Sequence, residues 1–160
     1  MTTPPLEQDL AARLARIERH GAIADVIYTY AEGVRRGDFA VCAALFAPDG
    51  VFDMGFGWPR AGAERRPSNR LEGPDAVLAY LNQTAAQGVM ICPVIYNIRV
   101  DAHGDPVQED EAASNCVMTA TVLGAGTTMM GEYHDRFRRI DGRWRFTLRR
   151  YTMFRDGNGG

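Results

Sequence analysis

The sequence predicts an α+β domain in which N-terminal helices pack on one face of a curved antiparallel sheet. Two observations carry that expectation. Apolar residues recur at helical spacing early in the chain, and four strand-like runs joined by turn signals fill its second half. With 160 residues, 46% hydrophobic and 24% charged, the chain is long enough to bury one proper core and short for two. A single domain over 1–160 is therefore expected, with 1–14 as a flexible or helical extension.

The first helix is read from Ile17, Ala24, Ile27, Ala31 and Val34, which recur at helical spacing through RIERHGAIADVIYTYAEGVRRGD. Gly37 stops it. Asp38 then caps a short second helix, DFAVCAALFAP, which Pro48 ends. A short strand GVFDMGF follows, and after it a polar loop, GWPRAGAERRPSNRLEG, long enough to make residues 55–72 a candidate lid. The third helix is GPDAVLAYLNQTAAQG, with Pro74 in its first turn and Gly88 at its close. The strands VMICPVIYNIRV, AASNCVMTATVLG, TTMMGEYHDRFRRI and RWRFTLRRYTMF are separated by the turn signals AHGDP, GAG and IDGRW. The helices cover one face of such a sheet, and its other face calls for a homodimer or homotrimer.

Composition removes several classes of function. A net charge of -2 with dispersed arginines lacks the clustered basic surface that nucleic acid requires. No apolar run approaches the roughly 18 residues of a membrane span, and the charged N-terminal stretch lacks a signal-peptide core. Cys42, Cys92 and Cys116 are odd in number and lack metal or redox spacing, which fits unpaired thiols in a cytoplasmic protein. Cys92 and Cys116 read as small buried packers. No metal and no cofactor is implied.

The candidate chemistry rests on carboxylates, tyrosines and an arginine. Along GEYHDRFRR, Tyr133, Asp135, Phe137 and Arg139 share one strand face, and His134, Arg136 and Arg138 share the other. If Phe137 faces a cavity, Asp135 is a carboxylate base and Tyr133 a donor. The alternative is an ion pair of Asp135 with Arg149 or Arg150 across the hairpin. Asp53, on the strand VFDMG, is a second candidate base if a desolvated cleft raises its pKa. On MICPVIYNIRV, Asn97 shares a face with Pro93 by simple alternation, and Tyr96 and Asn97 are candidate substrate contacts. Arg60, Arg65, Arg66 and Arg70 either meet an acidic substrate or are solvated. Met90, Met118, Met129, Met130 and Met153 suit an adaptable apolar cavity and also an ordinary core. His20 and His103 receive no role.

The stretches IYTYAEGVRRGDFAVCAALFAPDGVFD and GEYHDRFRRIDGRWRFTLRRYTMF resemble the SnoaL-like branch of the nuclear transport factor 2-like superfamily. That group holds scytalone dehydratase, bile-acid dehydratases, hexachlorocyclohexane dehydrochlorinase and ketosteroid isomerase relatives. The resemblance implies a cone-shaped barrel with a pocket between the first helix and the concave sheet face. In its dehydratase and dehydrochlorinase members an Asp late in the first helix orients a His on the first long strand, and that His removes a proton. Here Arg35 stands at the Asp position and Pro93 at the His position, so this dyad is not inherited. Tyr30 matches a family tyrosine that projects into the pocket. Arg99 and Asp101 are similar to the Arg and Asp pairing of limonene-epoxide-hydrolase relatives, or form a solvated strand end.

The implied function is a lyase or isomerase acting on a small hydrophobic, oxygenated molecule such as a polyketide, steroid or terpenoid. Tyr30 with Asp53 or Asp135 would move the proton, and Arg35 would hold an enolate or carboxylate. The alternatives are a ligand-binding protein or oxygenase small subunit without chemistry of its own, and an epoxide hydrolase or cyclase that uses carboxylates and water.

Overall fold

The computed structural model describes residues 5–60, 62–101 and 108–155. Three helices come first or lie between strands: α1 (Pro5–Arg36), α2 (Phe39–Ala44) and α3 (Pro74–Ala86). Six strands complete the chain: β1 (Phe46–Gly57), β2 (Arg66–Glu72), β3 (Met90–Val100), β4 (Glu111–Leu123), β5 (Thr127–Ile140) and β6 (Arg143–Phe154). The strands form one sheet in the order β2-β1-β6-β5-β4-β3. All neighbours are antiparallel except β1 and β6.

α1 carries Glu7 in its first turn and Arg35 and Arg36 in its last, each complementing the helix dipole. It ends at Gly37, whose φ of 76° suits a residue without Cβ. Ile23, Ile27 and Tyr30 form its buried face. α3 begins with Pro74 at its first turn and buries Val77 and Leu81.

The sheet is curved and unclosed, with β2 and β3 as its edges. Irregularities interrupt the ladders at Met54/Gly55, Tyr96/Arg99 and Arg136/Phe137. Such bulges bend a strand and re-aim the side chains beyond them, which is how a sheet acquires a concave face. Pro93 sits mid-strand without penalty because β3 pairs on one side only, with β4.

Three sequence expectations are corrected. The second helix is shorter than expected, and β1 already begins at Phe46 and runs through Pro48, because Phe46 pairs with Phe146 of β6. The candidate lid is in part an edge strand: Arg66–Glu72 is β2, hydrogen-bonded to β1. Its preceding segment is pinned outward by Arg65, which donates to Thr152 Oγ1 at 3.0 Å and to the Tyr151 carbonyl at 3.1 Å. Finally, Asp101 is held by Arg19 of α1, Nε to Oδ2 2.6 Å, and the same guanidinium reaches the carbonyls of Gln108, Glu109 and Glu111. Asp101 thus anchors the open end of the β3–β4 pair to α1 and is no solvated strand end. The expected turn at 102–106, with His103, lies outside the described residues. No described helix is long and apolar enough to cross a membrane.

Candidate functional site: a cavity in the concave face

A cavity of about 200 Å³ lies between the concave sheet face and helices α1 and α3. Tyr30, Ala31 and Val34 of α1 and Tyr80 and Leu81 of α3 form its helical wall. Every strand contributes to the other wall, mostly through apolar side chains such as Phe52, Met54, Ile95, Met118 and Met153. Pro93 lies on this wall between Ile91 and Ile95. A pyrrolidine ring has no proton-accepting atom, so the wall is apolar at the point where the resemblance implies a base.

The polar character is concentrated in Tyr30, Tyr133, Tyr151 and Arg149. Arg149 is completely buried. Its Nη1 donates to Asp135 Oδ2 at 3.0 Å, and its guanidinium lies 3.6 Å from the ring centre of Tyr133, 4.4 Å from Tyr30 and 4.6 Å from Phe146. Three electron-rich ring faces and one carboxylate are what allow a cation to sit inside this core. The pair leaves several buried atoms without a hydrogen-bond partner among the described residues: Arg149 Nε and Nη2, Asp135 Oδ1, Ser114 Oγ and Tyr151 Oη. Ser114 stands directly across the ladder from Asp135. Beyond this cluster Phe46, Phe137 and Phe146 pack together, with centroid distances of 5.2 Å for Phe46–Phe146 and 4.9 Å for Phe137–Phe146.

Burial sets the proton affinities. Removal from water pushes the Asp135 carboxyl up to about 7, although Arg149 opposes the shift. Burial also raises the phenols of Tyr30, Tyr133 and Tyr151, so at neutral pH all three are neutral hydroxyls able to donate. Burial works against the charge of Arg149, but Asp135 and the surrounding phenols outweigh it and hold the guanidinium protonated.

The candidates read from the sequence separate into two groups. Tyr30 and Tyr133 line the cavity, and Asp135 lies beside Arg149 just behind the lining. Asp53 is buried on the opposite face of β1, because its neighbours Phe52 and Met54 point into the cavity. There it accepts from Arg65 at 3.1 Å and from Arg150 at 3.0 Å. Arg35 is exposed at the end of α1 and pairs with Glu32 at 3.3 Å, so it faces away from the cavity that Ala31 and Val34 line. Tyr96 lies on the outer face, where Thr119 Oγ1 is 3.2 Å from its hydroxyl. Asn97 is exposed with a φ of 53° at the β3 irregularity, which breaks the alternation that had aligned it with Pro93. Asp53, Arg35, Tyr96 and Asn97 are therefore not cavity residues.

Sequence reasoning named Arg149 only as one of two partners for Asp135 and did not place it, or Tyr151, in the site. The signal was present but ambiguous. Trp144 and Phe146 are buried, and strict alternation would bring Leu148 and Arg150 inward next. The irregularity near Arg136/Phe137 shifts the phase, so Arg149 and Tyr151 turn inward instead.

Comparison with known proteins agrees with this architecture. No protein of curated function matches the chain. An NTF2-like protein with a cystatin-like fold from Novosphingobium aromaticivorans is 22% identical with a TM-score of 0.72, over 95% of this chain and 92% of that one. A candidate scytalone dehydratase from the same organism is 21% identical with a TM-score of 0.68, over 87% and 86%. The beta subunit of a candidate aromatic-ring-hydroxylating dioxygenase, also from that organism, is 15% identical with a TM-score of 0.70, over 89% and 92%. At these identities the likeness establishes the fold. The family model of the SnoaL-like domain matches residues 15–150, and the chain belongs to that family.

Proposed function

We propose that this protein binds a small, largely apolar, oxygenated molecule in the concave cavity and acts on it as a lyase or isomerase. The observation that carries the reading is Arg149, a buried cation on the wall of a largely apolar cavity, two of whose nitrogens have no hydrogen-bond partner among the described residues. Such a group polarises a carbonyl and stabilises the enolate formed when a neighbouring proton leaves, most strongly where water is excluded. The tyrosine hydroxyls add neutral donors beside it. Asp135 is the carboxyl able to hold a proton near neutrality. It does not line the cavity, so its proton exchange with a ligand runs past Arg149 and Tyr133.

The size of the cavity narrows the ligand. About 200 Å³ is below the range of roughly 300–1,000 Å³ typical of drug-sized sites and just above the roughly 150 Å³ that accepts benzene. A molecule of about one ring fits, which favours a small terpenoid or monocyclic polyketide fragment over a steroid.

The test is deuterium exchange by NMR. Cyclic ketones and hydroxy-ketones incubated in D₂O with the protein are expected to exchange protons next to the carbonyl, and Met118→Trp, which fills the cavity, is expected to abolish exchange. Pro93 on the cavity wall favours a second reading, ligand binding without turnover. Binding without exchange would select it. Absence of binding, or binding unaffected by Met118→Trp, would remove the cavity from consideration.

The outer sheet face exposes Val94, Tyr96 and Met130, each about half accessible. Together these form an apolar area suited to a second copy of the chain. A homodimer or homotrimer is the expected result of light scattering, and Tyr96→Glu with Val94→Lys should yield a monomer.

A further inference from the structure

We infer that the inner end of the cavity is a carboxylate subsite, and that filling it draws a proton from solvent onto Asp135. This rests on the cavity being the binding site and goes further in naming the ligand class and the charge that travels with it.

The first ground is the geometry of the free nitrogens. Nη1 of Arg149 is spent on Asp135, and the atoms left over are Nε and Nη2. Those two share one edge of the guanidinium plane, so what remains is a complete two-pronged fork matched in spacing to a carboxylate. Tyr151 Oη, also buried and without a partner, belongs to the same cavity. A ketone oxygen would have to share both prongs at a bent angle and brings no charge, whereas a carboxylate meets each prong with its own oxygen in a charge-assisted hydrogen bond.

The second ground is charge balance. Without ligand and above pH 7, Arg149 and Asp135 cancel. A bound carboxylate would add one uncompensated negative charge in a low-dielectric site, and two carboxylates sharing one guanidinium do not both stay ionised. On the cavity side Arg149 is the cation that acts on Asp135 among the described residues, beside the neutral Tyr30, Tyr133 and Cys116. On its other side Asp135 borders a second pocket lined also by His134, Arg136 and Arg150, where Arg150 is held by Asp53 at 3.0 Å. His134 adjoins it in sequence but points to the outer face, where it pairs with Glu132 at 3.1 Å. A proton from water is therefore the available counter-charge. One O–H bond forms on Asp135, one negative charge enters with the ligand, and the charge of the buried cluster is unchanged. Because burial has already brought this carboxyl to about 7, the uptake falls within the neutral range. The resulting state, a protonated Asp135 beside an anion held by Arg149, has the same charges as the enolate state of the proposed reaction.

The test is titration calorimetry with benzoate, and with benzamide as its neutral counterpart, in phosphate and in Tris buffer from pH 6 to 9. Benzoate is expected to bind with almost no proton uptake at pH 6 and with uptake approaching one proton above pH 8. Its affinity should be flat below pH 7 and fall by up to about tenfold per pH unit above it. Asp135→Asn keeps an acceptor for Arg149 and should bind benzoate with neither uptake nor pH dependence. Carbon-13 NMR of the aspartate carboxyls in the unsubstituted protein reports the same protonation without any variant. If benzamide binds as tightly as benzoate, or benzoate binds without proton uptake, the inference is overturned while the cavity keeps its ligand. If neither compound binds and ketones bind, the carboxylate class is wrong. If nothing binds at all, the reading of the cavity fails with it.

Discussion

Asp135→Leu lowers the free energy of unfolding by about 3–5 kcal/mol, and Arg149→Met lowers it by distinctly less. Removing one member of a buried pair usually strands the other as an uncompensated charge. The two members here are not equivalent. An arginine does not give up its proton inside a protein, so Arg149 without Asp135 remains a cation relieved only by the rings of Tyr133, Tyr30 and Phe146. Asp135 without Arg149 becomes neutral, which burial already favours. The double variant, Asp135→Leu with Arg149→Met, should lose less than Asp135→Leu alone, because a well-packed apolar pair removes the desolvation cost of both ions. Guanidinium denaturation of all four proteins supplies the double-mutant cycle. Additive losses would mean that the two side chains do not sense each other, contrary to the 3.0 Å contact.

This asymmetry bears on the proposal that the pair serves the cavity. An apolar replacement of both costs less than stranding one ion, yet the concave face keeps a full charge beside a largely apolar cavity. The free Nε and Nη2 edge of Arg149 is the feature that a hydrophobic core does not provide.

Most of the fold was legible from sequence because it is written in local signals. Helical spacing through Ile27, Ala31 and Val34 defines α1, Gly37 ends it, and alternation along AASNCVMTATVL reproduces the burial pattern of β4. What was not legible depends on partners distant in sequence. β2 is mostly polar and exposed, with Leu71 its one half-buried residue, so pairing with β1 is what makes RPSNRLE a strand. β1 joins β6 in parallel across nearly a hundred residues, which no local pattern announces.

The site was half legible for the same reason. Tyr30 and Tyr133 stand on regular stretches of helix and strand, where spacing keeps its phase, and both line the cavity. Asn97 lies within one irregularity and Arg149 beyond another, and a single extra residue reverses which side of the sheet every later side chain occupies. Alternation alone thus put Asn97 inside and left Arg149 undecided against Arg150. The polar residue at a core position was visible in RWRFTLRRY, but the phase that chose between the two arginines was not.

The close approach of β5 and β6 also shapes the cavity, at Gly131. This buried residue of β5 lies opposite Met153 and beside the ring of Tyr151, and a Cβ there would come within 2.5 Å of both the Thr152 carbonyl oxygen and Tyr151 Cε2. The oxygen belongs to the strand and yields little, so Gly131→Ala forces β5 and β6 apart or swings the Tyr151 ring away. Overpacking of this kind costs about 1–3 kcal/mol. Gly131→Val adds two methyl groups at the same point and should reach the upper end or beyond it. The displaced ring has the cavity as its free volume, since Tyr151 already lines it. Ligand affinity should therefore fall together with stability. Adding Tyr151→Leu to Gly131→Ala separates the two contributions: the ring clash disappears while the clash with the Thr152 carbonyl remains. Partial recovery of stability and of cavity volume would identify the ring as the element that Gly131 positions. No recovery would assign the whole effect to the backbone, and an unchanged Gly131→Ala protein would show that the ring does not lie over the glycine at all.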